Sequence, residues 1–227
     1  MRTRYYVKKI ENSTAQSIVI ENHYLHRKCS ASYSFGIFEV GTDKLLGCVV
    51  FGTPASRFVQ KGVCGDDEAD NVIELTRLWI DDCVGKNAES FLVSYGLRWM
   101  RKNNVKQDIV ISFSDTGEGH YGCVYQASNF LYTGTNHIQK DWYVDGKMLH
   151  PRHFKDRFGS VNEAKAFFGD RMVQVERSVK HRYVYFNCGK SRKRKLLRKL
   201  RYEIKPYPKI ESLNSSLVSK ISYKKEA

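Results

Sequence analysis

Residues 108–134 read DIVISFSDTGEGHYGCVYQASNFLYTG, and the change of character within this stretch decides the fold class. Ile109, Val110, Ile111 and Phe113 form a short β-prone run that ends in polar Ser114 and Asp115, which predicts a strand over residues 108–114. Thr116, Gly117, Glu118 and Gly119 then supply a turn that tolerates unusual backbone angles. Val124, Ala127, Phe130 and Leu131 recur at roughly helical spacing, so a helix follows. Asp115, His120, Tyr121, Tyr125, Gln126 and Asn129 are thereby gathered around one strand-to-helix junction. A helix start offers unpaired backbone N–H groups and partial positive charge, which suits an anion or a developing negative charge. Two readings stay open. In one, Asp115 caps the turn, His120 bonds backbone and the tyrosines pack beneath it; in the other, the junction is where chemistry happens.

The segment before it, ELTRLWIDDCVGKNAESF (residues 74–91), is its partner. Residues 72–80 read as a strand whose apolar run is broken by Glu74, Thr76 and Arg77, which a buried strand does not need. After DDCVGK, Asn87 is placed to cap a helix in which Ala88, Phe91, Leu92, Tyr95 and Trp99 repeat on one face. Strand, loop, helix and strand over residues 72–113 make a βαβ unit, so the two strands are expected to be parallel.

Toward the N-terminus, residues 4–10 predict a first strand. Ser13 with Gln16 three later predicts a capped helix running to about His26. His23 and His26 would share a face of that helix, and a pair of surface or pocket histidines is the simpler account of them than a metal. SYSFGIFEV and LLGCVVFG flank the turn GTDK as an antiparallel hairpin, and residues 53–71 are expected to be an irregular loop that covers a pocket. Beyond Gly134 a polar and aromatic insertion precedes a short helix from Ser160 to Phe168 and a last strand pair, VQVERSV with RYVYF. His137, His150, His153 and His181 form no metal-ligand spacing, so no metal site is read from the sequence. The expected class is α/β or mixed α+β.

With 227 residues, 41% of them hydrophobic, the chain can bury one substantial core, and a disordered chain is excluded. Six cysteines without a CxxC pair and no signal-peptide pattern lead to reduced thiols and a cytoplasmic setting. No apolar run approaches the length of a membrane span. The charge is +14, of which residues 188–227, with 13 Lys and Arg against 3 Asp and Glu, hold +10. We therefore expect a body over residues 1–187 and a basic extension over 188–227. Arg192, Lys193, Arg194, Lys195, Arg198, Lys199 and Arg201 are the candidate contacts to a polyanion, with a merely solvated helix face as the alternative.

ELTRLWI, KNAESF, SFSD with GHYGCVYQASNFLYTG, and HRYVYF ahead of a basic segment ending PYPK together resemble the Mom family of phage DNA-modification proteins. The resemblance covers roughly residues 15–210, and YQASNFLYTG is its most specific block. It implies a fold similar to GCN5-related N-acetyltransferases: a central mixed sheet flanked by helices. It also implies transfer of a carbamoylmethyl (acetamide-type) group to the exocyclic amine of adenine in double-stranded DNA, in a phage-infected host's cytoplasm, protecting that DNA from restriction. The catalytic candidates that follow are Asp115, His120, Tyr125, His23 and Tyr24. A donor is expected against Leu78, Trp79 and Ile80, against Lys86, Asn87, Ala88, Glu89 and Ser90, and at Asn129. Similar acetyltransferases hold the pyrophosphate of acyl-CoA on a Q/R-x-x-G-x-G/A loop; the corresponding CVGKNA (residues 83–88) has one glycine fewer and an Asn in the turn, leaving Lys86 to reach a phosphate. If a metal ion takes part, the resemblance points to His23, Tyr24 and Asp115. An acetyltransferase for protein or small-molecule amines, or a non-catalytic DNA-binding module, are the alternatives. Tyr33, Tyr121, Tyr132 and Trp142 are the rings expected to stack on a flipped base.

Overall fold

In the computed structural model, residues 3–149 and 151–208 are described. Strand β1 (Tyr5–Ile10) and helix α1 (Asn12–Asn22) precede the hairpin β2 (Tyr33–Glu39) and β3 (Leu45–Gly52). Helix α2 (Arg57–Cys64) and a 3₁₀ turn over Asp66–Asn71 lead to β4 (Val72–Ile80), α3 (Ala88–Lys102) and β5 (Ile109–Asp115). Then come α4 (Cys123–Ala127), β6 (Leu131–Thr135), β7 (Lys140–Val144), β8 (Lys147–Leu149), α5 (Pro151–Phe158) and α6 (Val161–Phe168). The last elements are β9 (Met172–Glu176), β10 (Lys180–Phe186) and α7 (Lys190–Lys199).

The chain separates into two compact units, one within Met1–Ser114, Tyr121–Gly134 and His181–Ala227, the other Asp115–His120 with Thr135–Lys180. The larger contains a seven-stranded mixed sheet in the order β1-β2-β3-β4-β5-β10-β6, antiparallel from β1 through β4 and parallel between β4 and β5. The fold is mixed α+β. Alternation along the strands assigns the two faces. Phe35, Ile37, Val49, Phe51 and Val110 meet Leu92, Val93, Leu97 and Met100 of α3, and Gly96 lets that helix approach, since a Cβ there would lie 2.8 Å from the Phe51 ring. Cys48 and Val50, one residue out of step, face Ala15 and Val19 of α1. Ile109 and Ile111 likewise face Val63 and Cys64 of α2 and Leu196 of α7.

The smaller unit has its own three-stranded sheet, β8-β7-β9, and a core of Val144, Phe154, Ala164 and Met172. Ser160 caps α6 as expected, accepting from the Glu163 N–H at 3.1 Å.

Several expectations need correction. Residues 53–71 are not an irregular loop: Ser56 accepts from the Val59 N–H and starts α2. Helix α1 ends at Asn22, because His23 takes extended backbone and His26 has φ 42°, so the two histidines do not share a helix face. Ser13 lies inside its first turn and does not cap; Gln16 instead exchanges hydrogen bonds with the Cys29 backbone, 2.7 and 3.0 Å. The strands expected to pair last belong to different sheets, β9 against β7 and β10 beside β5 and β6. Helix α7, beyond residue 187, packs Leu196 into the larger unit. His150 lies outside the described residues.

Candidate active site

The parallel ladder joins Val72, Ile73 and Glu74 to Ile109, Val110 and Ile111, while both strands run on, to Ile80 and to Asp115. Just past it, the Ser112 hydroxyl donates to the Leu75 carbonyl at 3.0 Å, a side chain acting where a ladder bond would be. Ser112, Glu74, Tyr24 and Arg77 all act on the Tyr125 phenol. Tyr125 is 8% exposed; burial pushes its phenol up to about 12 against the opposing influence of Ser112, with Glu74 and Tyr24 pushing the same way as burial and Arg77 opposing. At neutral pH it is a proton donor.

What holds Tyr125 there is local. Gly122 opens α4 with φ 73°, and a Cβ on it would lie 2.4 Å from the Tyr183 ring. Tyr183 is fully buried; its hydroxyl donates to the Tyr121 carbonyl at 2.5 Å, and Gln126 Nε2 reaches that hydroxyl at 3.2 Å. The Tyr125 ring lies between Tyr183 and Phe130, with centroids at 5.2 and 5.5 Å. The helix is shorter than the spacing predicted. Asn129 takes φ 60°, so Phe130 and Leu131 leave it and Leu131 begins β6.

Of the predicted catalytic residues, His23 and Tyr24 stack on each other at 4.4 Å, and Tyr24 acts electrostatically on Tyr125. His23 is buried and its Nδ1 accepts from the Leu25 N–H at 3.2 Å. Asp115 and His120 belong to the smaller unit. There Asp115 closes the turn over Thr116–Glu118, accepting from the Gly117 N–H at 3.0 Å and from Ser178 at 2.5 Å, with Lys180 Nζ at 3.2 Å. Burial pushes its carboxyl up, but the hydrogen bonds from Ser178 and Gly117 and the Lys180 ammonium outweigh that and hold it below the usual value. His120 is exposed. Among the described residues no three His, Cys, Asp or Glu side chains are grouped to hold a metal ion. Glu74 and Arg77 were legible as misfits in an apolar strand; Ser112, inside a β-prone run, gave no signal.

The loop expected to hold a donor departs from ordinary backbone at two positions. Gly85 has φ 83° and Asn87 φ 66°, and Asn87 does not cap α3 with its side chain, so N–H groups of the first turn have no side-chain acceptor there. Lys86 is exposed. Leu78 and Ile80 pack on the core, Ser90 donates to the Asn87 carbonyl at 3.1 Å, and Ala88 is buried. Trp79 is half-buried and Asn129 exposed. A polar cleft of about 270 Å³, lined by residues that include Thr53, Gln60 and Asp70, contains none of the catalytic candidates. Of the rings expected to stack on a base, Tyr132 is buried with its hydroxyl 2.9 Å from His181 Nδ1, and Trp142 packs on Phe154 in the smaller unit, while Tyr33 and Tyr121 are half-buried.

In the basic segment, Arg192 and Lys199 face inward. Arg192 reaches Glu68 at 2.5 and 2.8 Å and Asp108 at 2.9 Å; Lys199 reaches Asp67 at 2.5 Å and Glu68 at 2.8 Å. Arg201 lies against Gly65 and acts on Asp66. Lys193, Arg194, Lys195 and Arg198 are exposed. All six cysteines are free thiols, and no helix among the described residues is long and apolar enough to cross a membrane.

The methylcarbamoylase mom of Escherichia phage Mu is 32% identical over 203 residues, covering 86% of this chain and 80% of that protein. Among solved structures, the ribosomal-protein-S5-alanine acetyltransferase from Vibrio fischeri aligns at 13% identity and a TM-score of 0.47, covering 81% of this chain and 93% of that one. The ribosomal-protein-S18-alanine N-acetyltransferase from Escherichia coli aligns at 9% identity and a TM-score of 0.44, over 82% and 97%. The profile of the Mom protein family matches residues 4–209, and the chain therefore belongs to that family and is a transferase.

Proposed function

We propose that this transferase adds a carbamoylmethyl group to the exocyclic amine of adenine in double-stranded DNA. The observation that carries the reading is the buried Tyr125 phenol at the end of the parallel ladder, where Ser112 bonds the Leu75 carbonyl and Ser112, Glu74, Arg77 and Tyr24 all act on the phenol, in a chain of the Mom family. Adenine's exocyclic amine is a weak nucleophile, so positioning contributes more than basicity. Glu74 is the carboxylate of this site that accepts from the amine, and Tyr125 donates its proton to the oxygen or leaving atom on which negative charge grows. Arg77 keeps positive charge beside both.

A phosphate-bearing donor would be held by the backbone from Asn87 to Ser90 with Lys86, and along Leu78, Trp79 and Ile80. When bound, it supplies the activated carbon group. The chain's part is to hold that group, exclude water and deliver the Tyr125 proton.

The test is mass spectrometry of nucleosides from the DNA of cells expressing the protein. Tyr125→Phe keeps the ring packing and removes the proton, so modified adenine should fall by about 10²-fold or more with the fold retained. Near-normal modification would remove Tyr125 from the chemistry. Asp115→Ala, run beside it, tests separately whether that carboxylate handles the amine.

A further inference from the structure

Helix α7 spends its cations in two different ways, and the division follows its faces. On the inner face, Arg192, Leu196 and Lys199 are spaced i, i+4 and i+7; Leu196 is fully buried, and the two cations bind the acids Asp67, Glu68 and Asp108 beneath. These contacts pin the helix to the 3₁₀ turn over Asp66–Asn71 and to the start of β5. On the outer face, Lys190, Arg194 and Arg198 are spaced i, i+4 and i+8, with Lys193 beside them, all exposed and, among the described residues, in no ion pair. Lys190 and Lys193 lie in the first turn, where the helix dipole disfavours positive charge, and no acid in that turn offsets them. Helix stability therefore gives no reason for their placement.

We propose that the outer row of α7, Lys190, Arg194 and Arg198 with Lys193, is a docking surface for the phosphate backbone of double-stranded DNA. Successive cations in the row rise about 6 Å along the helix, and a duplex carries one charge per about 1.7 Å of axis, so each can meet a phosphate in many registers. The contacts are independent of base sequence and orient the duplex. A single strand is the poorer fit, since α7 has no aromatic side chain for bases to stack on. A membrane surface fits poorly too, because Leu197, 38% exposed, is the helix's one outward apolar group. The choice of duplex over other polyanions rests on the DNA-modification reading above.

The test compares the full chain with a Lys190→Gln, Arg194→Gln, Arg198→Gln triple variant, titrating a labelled duplex by fluorescence anisotropy across a salt series. Each lost phosphate contact lowers the slope of log affinity against log salt by about 0.9, so the variant should lose about 2–3 units of slope while its urea midpoint stays unchanged. An unchanged slope overturns the surface, as does tighter wild-type binding to the single strand or to phosphatidylserine vesicles than to the duplex. Nucleoside mass spectrometry separates this proposal from the chemistry. Modified adenine made by the wild type, with an unchanged slope in the variant, sinks the docking surface alone. No modified adenine, with a reduced slope, sinks the chemistry and supports the surface.

Discussion

Arg192→Met is the sharpest probe of how the basic helix is held. Methionine keeps an apolar stem of similar length while removing the guanidinium, so Glu68, 5% exposed, loses a bidentate partner and Asp108 loses its ion pair. Breaking one side of a buried pair costs about 3–5 kcal/mol. Here the figure should be lower, about 2–3 kcal/mol, because the Arg192 side chain is 33% exposed and Lys199 and Asn71 still reach Glu68 at 2.8 and 2.7 Å. With a urea m-value of about 2–3 kcal/mol/M, the midpoint should fall by about 1 M, read by circular dichroism. Arg194→Met, on the outer face, should stay within about 0.5 kcal/mol of wild type. The pH dependence has a definite sign. Hydrogen bonds from Arg192 hold the Glu68 carboxyl well below the usual carboxylate range against the opposing push of burial. Its stabilisation is therefore full above the unfolded value near about 4.3 and is lost as pH falls below it, so the gap between wild type and Arg192→Met should close toward about pH 3. Equal midpoints for Arg192→Met and Arg194→Met at neutral pH would refute the division of the helix into an anchored and a free face.

Gly122→Ala should cost more than about 3 kcal/mol, because the new Cβ meets the Tyr183 ring at 2.4 Å and the backbone has φ 73°; modification of adenine should vanish with it, whereas Gly85→Ala, also at positive φ but with open space, should keep more stability in the same melt. Lys86→Glu should weaken a phosphate-bearing donor by placing negative charge against its phosphate; calorimetry with acetyl-CoA is the check, and absence of binding heat from the unmodified chain at several temperatures would remove that donor.

Much of this fold is local in origin and was legible in the sequence. Strands β1 to β5 and helix α3 follow from period-2 and period-3.6 apolar patterns, and the parallel β4–β5 pair follows from the connecting helix alone. Elements governed by one or two side chains were not legible. Residues 53–71 are polar enough to look like loop, yet Val63 and Cys64 find Leu196 more than a hundred residues on, and that burial makes α2 a helix. The site divides in the same way. Tyr125 stands out locally, and Glu74 and Arg77 are misfits in an apolar strand, but their meeting with Ser112 and Tyr24 depends on where the parallel ladder stops. The basic segment makes the point most clearly. Composition counts Arg192 and Arg194 as equal charges; only the packed chain turns one toward Glu68 and Asp108 and the other to solvent, because a helix of period 3.6 with Leu196 buried must face its neighbouring positions in opposite directions.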